Sequence, residues 1–214
     1  MSARTAVNST KAAAALGPNW VNDVLGLWYG QWGPAQWFAG GSHVDEKCRE
    51  HYHDIWECIS VSPAPANDLA SYCASTPREC FSDPRAALAG VIVYDQAPRN
   101  MFRSTARAFQ TDAHALALSK HAVATGLDKD LEPDEKMFLY MPYMHSEVLA
   151  DQEEALVLFS ALGGPMQEQT DAIAKEHRDI VAKYGRFPHR NAVLGRENTP
   201  AEVEFLKEHE GFGQ

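Results

Sequence analysis

The sequence predicts an all-α fold of about seven to nine helices joined by short connections. Apolar residues recur at three- and four-residue spacing along most of the chain. Pro, Gly and Ser/Thr/Asp residues fall where those runs begin or end. The one strand-like run, Val91-Ile92-Val93, lies inside a longer helical pattern and has no alternating partner.

The elements follow in order. Trp20, Val24, Leu27 and Trp28 share one helical face, which Gly30, Gly33 and Pro34 end. Ser42, with Asp45 three residues on, reads as the N-cap of a helix running to about Ile59, with Val44, Cys48, Tyr52 and Ile55 on its apolar face. Pro63, Pro65 and Asn67 mark a loop, and a short helix is expected around Asp68–Ser75. Ser82-Asp83-Pro84 opens a helix whose body, Ala86–Tyr94, is apolar on nearly all sides. This should be the central buried helix, broken by Pro98. Thr111 caps a helix ending near Gly126. Pro133 starts another, expected to stop at Pro142, and Ser146 is expected to cap the next, through Leu149 and Leu162 to Gly163-Gly164. A helix around Thr170–Tyr184 ends at Gly185, and Thr199-Pro200-Ala201-Glu202 forms a capping box. Residues 1–18 read as a flexible tail and 19–210 as a single helical domain.

Composition bounds the function. The chain has 214 residues, 45% of them apolar, and a net charge of −10. The longest apolar run, Ala86–Tyr94, is half the ~18 residues a spanning helix needs. An acidic chain binds nucleic acid or anionic membrane poorly, so neither is expected as a partner. The first 22 residues hold no acid, a transit-like composition, yet a frayed tail and a cytoplasmic protein are expected. The four cysteines, Cys48, Cys58, Cys73 and Cys80, lack zinc-knuckle spacing and read as reduced structural thiols.

Charge is unevenly spread. Of eleven arginines, three fall between Arg99 and Arg107 and three between Arg186 and Arg196. Three polar segments stand out at helix ends. They are Asp95 to Arg103, Tyr140 to Glu147 with Asp151-Gln152 after it, and Tyr184 to Asn191 with Gly195-Arg196 after it. Helix ends leave backbone donors free and let side chains converge. Arginine forks suit a carboxylate or phosphate, and a histidine beside them can move protons near neutral pH. The same arginines would equally tie helix ends together through Asp95, Glu147 or Asp151. No metal site is expected: His51, His53 and Glu57 share a helix, but no recognised ligand motif is present. No nucleophile elbow, phosphate loop or dinucleotide fingerprint appears. Five tryptophans cluster early, and Trp28-Tyr29 and Trp37-Phe38 flank a turn, where they would plug the bundle or wall a pocket.

The order of these motifs closely resembles the domain of unknown function 924 family. The carriers are Trp28-Tyr29-Gly30, Asp95-Gln96-x-Pro98-Arg99-Asn100, Met141-Pro142-x-x-His145-Ser146-Glu147 and Gly185-Arg186-Phe187-Pro188-His189-Arg190-Asn191, closed by Leu194-Gly195-Arg196. The resemblance spans about Val24 to Leu206. It implies a right-handed superhelix of antiparallel helix pairs, similar to tetratricopeptide-repeat proteins, and no settled activity. Ala97 departs from the family, which usually carries an aromatic residue there.

Three functional readings follow. In the leading one, an enzyme (a small-molecule hydrolase, lyase or transferase) acts on a small anion without a cofactor. Arg99, Asn100, Arg103, Arg186, Arg190, Asn191 and Trp28 would bind the substrate. His145 or His189 would move the proton, with Glu147 orienting it. In the second, a concave groove binds a peptide or protein and performs no chemistry. In the third, the polar segments only hold the fold together. Oligomeric state does not follow from the sequence.

Overall fold

The computed structural model describes residues 19–60, 81, 83–209 and 211–212, and every regular element among them is helical. The expected N-terminal tail, the loop at Pro63–Asn67, the short helix at Asp68–Ser75 and the side chains of Cys58, Cys73 and Cys80 lie outside the described residues. Cys48 is free and buried, and burial pushes its thiol up to about 12.

Helix α1 (Trp20–Trp28) buries Trp20, Val24, Leu25, Leu27 and Trp28. A short helix, α2 (Pro34–Ala39), follows where the sequence predicts only a helix end. Helix α3 (Ser42–Ile59) starts one residue before its expected body, with Gly41 rather than Ser42 at the N-cap. Asp45 is drawn away from capping and pairs with Arg103 at 3.0 Å.

The centre is a continuous helical rod: α4 (Pro84–Val91), a π-helical turn (Ile92–Gln96) and α5 (Ala97–Met101). Asp83 caps it by accepting from the Ala86 N–H at 2.9 Å. Every residue from Ala86 to Met101 is buried, as expected of the central helix. The rod packs on α1, α3, α6 and α7. Gly90 allows this closeness, since a Cβ there would sit 2.4 Å from a Phe81 ring carbon and 2.6 Å from a Leu118 methyl.

Pro98 does not break the helix. A proline deprives the carbonyl four residues earlier of its donor. That carbonyl belongs to Tyr94, and it accepts instead from the Thr111 hydroxyl at 2.6 Å. The widened π turn seats the proline ring within the helix. Thr111 thus stands at the N-cap position of α6 (Asp112–Thr125), but its side chain does not cap that helix. It serves the π turn and accepts from Trp56 Nε1 at 3.1 Å.

Helix α7 (Pro133–His145) likewise runs through Pro142. Every residue from Met137 to His145 is buried, and this packing outweighs the ~3 kcal/mol a helical proline costs. Helix α8 (Leu149–Ser160) takes Val148, not Ser146, as N-cap. The Ser146 hydroxyl accepts from the Val148 N–H at 3.2 Å and donates to Asp151 at 2.7 Å. Helix α9 (Gln167–Tyr184) stops at the left-handed Gly185, and α10 (Pro200–Glu208) opens on the expected Thr199–Glu202 capping box. Helices α6, α7, α8 and α9 pack in chain order, as short connections favour. None of the helices described is long and apolar enough to cross a membrane.

Candidate functional site

Two of the three polar segments meet at a cavity of about 310 Å³. The π turn, α5 and the turn after it bring Gln96, Arg99, Asn100 and Arg103 to its wall, and the end of α7 brings Met141, Met144 and His145. Trp37 and Phe38 from α2 close one side, and Thr170, Ile173 and His177 from α9 another. Most of the wall is apolar, and Gln96, Asn100, Arg103 and His145, linked by hydrogen bonds to one another or to Asp95, make a polar end.

The centre of that polar end is an Asp–His pair. His145 Nδ1 lies 2.8 Å from Asp95 Oδ1 and 3.0 Å from Oδ2. Asp95 is fully buried and also accepts from Gln96 Nε2 at 2.5 Å. Arg99 Nη1 stands 3.1 Å from the same carboxylate and donates to the Asp95 carbonyl at 2.7 Å. Burial pushes the Asp95 carboxyl up, but Arg99, His145 and Gln96 together outweigh it, so Asp95 is ionised. Burial lowers the His145 pKa below that of a free imidazole, only partly opposed by Asp95. At neutral pH the ring is therefore neutral, its Nδ1–H is held by Asp95, and Nε2 carries the lone pair.

His177 is a second neutral imidazole on the wall. Its Nδ1–H donates to the Ile173 carbonyl at 2.9 Å, and its ring centroid is 6.1 Å from that of His145. Burial, then His145, lowers its pKa to about 3. Phe212 stacks on it at 3.8 Å between centroids and closes the cavity there.

Behind the wall the arginines form a chain of alternating charge. Arg99 makes a two-pronged pair with Asp112 at 2.8 and 3.0 Å, and Arg190 approaches the same carboxylate at 3.4 Å. Arg190 lies over the rings of Phe109 and Phe187 at 4.6 and 4.5 Å. Burial lowers its pKa to about 10, which leaves it charged at neutral pH.

The third polar segment does not reach the cavity. Glu147 was expected to orient the histidine, but it is occupied elsewhere. It accepts from the Phe187 N–H at 2.8 Å and pairs with Arg196 at 2.6 and 2.9 Å. Asp95 holds His145 in its place. Arg186 is bound to Glu202 at 2.6 and 2.8 Å, and Asn191 to Asn198 and Arg196. His189 packs against Phe187, His209 and Phe212, away from the cavity lining. Trp28 is wholly buried against Trp32 and Phe138. These contacts match the expectation that part of the motif set ties helix ends together. Of the expected substrate-binding residues, Arg99, Asn100 and Arg103 line the cavity. Ala97 is buried in the core and is not part of the cavity wall.

His177 and the cavity methionines are outside the set of site residues expected from the sequence. Ile173, His177 and Ile180 lie on one face of α9 at three- and four-residue spacing, so a histidine on that apolar stripe was the available signal. Among the described residues, no group of three or more His, Cys, Asp or Glu could hold a metal ion.

The bacterial family of proteins of unknown function 924 matches residues 24–210, nearly the whole described fold. The chain belongs to that family. A solved structure of a protein of unknown function from Agrobacterium tumefaciens is 32% identical, with a TM-score of 0.74, covering 88% of this chain and 97% of that one. No curated protein matches the chain. Gln96, Arg99, Asn100 and His145, from the first two polar segments, line the cavity, and Asp95 stands behind them against His145. Phe187 and Arg196 of the third segment hold Glu147 outside it.

Proposed function

We propose that this family member is an enzyme in which His145, held by Asp95, removes a proton inside the cavity. The proton comes from the bound substrate or from a water that attacks it. The substrate is a small molecule with a carboxylate or phosphate, received by Asn100 and Arg103, whose side chain is about a third exposed on the wall. The observation that carries this reading is the 2.8 Å contact of His145 Nδ1 with Asp95. It fixes the tautomer, aims the basic Nε2 away from the carboxylate, and stabilises the imidazolium once the proton has moved. Hydrolase, lyase and transferase chemistry can each run on such a base. The burial of Asp95, Arg99 and His145 speaks against the peptide-groove reading, which needs these side chains on an open face.

The test is a thermal-shift screen of small carboxylates and phosphate esters, followed by turnover of whatever binds. His145→Gln should bind the same compound and lose about 10²–10⁴-fold in kcat. A folded His145→Gln protein that turns over at the wild-type rate sinks the assignment.

A further inference from the structure

We propose that the substrate carries an unbranched aliphatic tail, which leaves the His145 cavity past Trp37, Met137 and Met166 and lies in a second cavity behind them. This rests on the reading of the first cavity as a small-molecule site. The second cavity is about 420 Å³ and is walled by Pro34, Pro133, Leu162, Gly163 and Pro165, with the exposed Glu132 and Asp134 beside them. Trp37, Met137 and Met166 belong to the walls of both cavities.

That shared partition has one rigid side and one pliable side. The Trp37 indole is fixed, since its Nε1–H donates to the Trp28 carbonyl at 2.8 Å and its ring meets Phe138 at 5.1 Å, nearly perpendicular. Met137 and Met166 are unbranched, with three rotatable bonds and a polarisable sulfur, so they re-pack around a guest at little cost. A partition of two thioethers against an indole can part for a methylene chain, whereas a ring needs a fixed slot. The polarity of the walls sets the direction. Gln96, Asn100, Arg103 and His145 gather at one end, Met141 and Met144 continue the apolar lining, and the partition follows. The head group therefore sits at His145 and the chain runs outward. Glu132 and Asp134 oppose a second carboxylate at the far end, so the tail ends in a methyl. Alone, the first cavity is at the low end for a ligand site of about 300–1,000 Å³, and the second extends it well into that range.

The experiment is calorimetric titration of the full-length protein with straight-chain alkanoates from butanoate to dodecanoate, below their micellar concentrations. In the wild type, Kd should tighten about fourfold per methylene until the second cavity is filled. Met166→Trp, which thickens the partition, should lose the gain for the longer acids, while Met166→Ala keeps it. Pro165→Trp, which lines only the second cavity and fills it from its exposed rim, should bind the short acids as the wild type does and lose the gain for the longer ones, and it serves if Met166→Trp fails to fold. Affinity indifferent to chain length, an unaltered series in both tryptophan variants, or no alkanoate binding at millimolar concentration overturns the proposal. Tighter binding of phenyl-substituted acids than of equally long straight chains also overturns it. The series repeated on His145→Gln separates the two readings, because the tail depends on the partition and catalysis on the base.

Discussion

Acid should weaken this fold through His177, and the size of the effect follows from its surroundings. The imidazole is 4% exposed, stacked on Phe212 and met edge-on by Phe187 at 5.5 Å. Burial, with His145, Arg190 and His189 adding to it, holds its pKa at about 3, against about 6.5 in an unfolded chain. A histidine lowered in this way contributes stability fully above the unfolded pKa and loses it as pH falls from there toward the folded value. Between pH 7.5 and pH 5.0 the unfolded chain takes up nearly one proton here and the native state almost none. The loss is about 2 kcal/mol. Burial lowers the pKa of His145 and His189 too, so the wild type should lose more than this one share. The clean measurement is a difference: His177→Phe keeps a ring in the stack and removes the titration. Urea unfolding at the two pH values, followed by tryptophan fluorescence, should show a midpoint drop smaller by roughly 0.7–1 M in the variant, taking m of about 2–3 kcal/mol/M. Parallel drops in the two proteins would refute the argument that His177 is buried neutral.

Three further outcomes are expected. Asp95→Asn leaves Arg99 with Asp112 alone and removes the charge opposite His145; it should cost about 3 kcal/mol, or roughly 6–12 °C in Tm by calorimetry. Thr111→Val orphans both the Trp56 indole N–H and the Tyr94 carbonyl, and should cost about 2–4 kcal/mol in chemical denaturation. Gly90→Ala drives a methyl into Phe81 and Leu118; about 1–3 kcal/mol should be lost, and a thermal melt as stable as the wild type would contradict the packing.

The helices were legible because their apolar spacing and punctuation are local properties, as at Gly126, Gly185 and Thr199. The errors lie where a distant residue decides. Pro98 looked like a breaker because its compensating donor, Thr111, is 13 residues away. Pro142 looked like one because the burial of its neighbours is a tertiary fact. The same holds for the site. His145 and Asp95 each stood in a recognisable motif, but nothing in one sequence pairs residues 50 apart. Glu147 stands two residues from His145 in sequence, which makes it the near candidate for a partner, and the fold turns it toward Arg196 instead. The arginine clusters were visible, but their charges answer mainly to carboxylates of the chain itself.

The alternation Asp95–Arg99–Asp112–Arg190 has an electrical consequence. Opposite charges set in a row cancel at short range, so little of their field reaches beyond the chain. Buried pairs are also poorly screened by mobile ions, which act over about 8 Å in physiological salt. The basicity of His145 is thereby set by fixed neighbours and insulated from the surface of a protein that carries −10 overall. Added salt should alter how an anion approaches the cavity mouth and leave the proton affinity of its base nearly untouched.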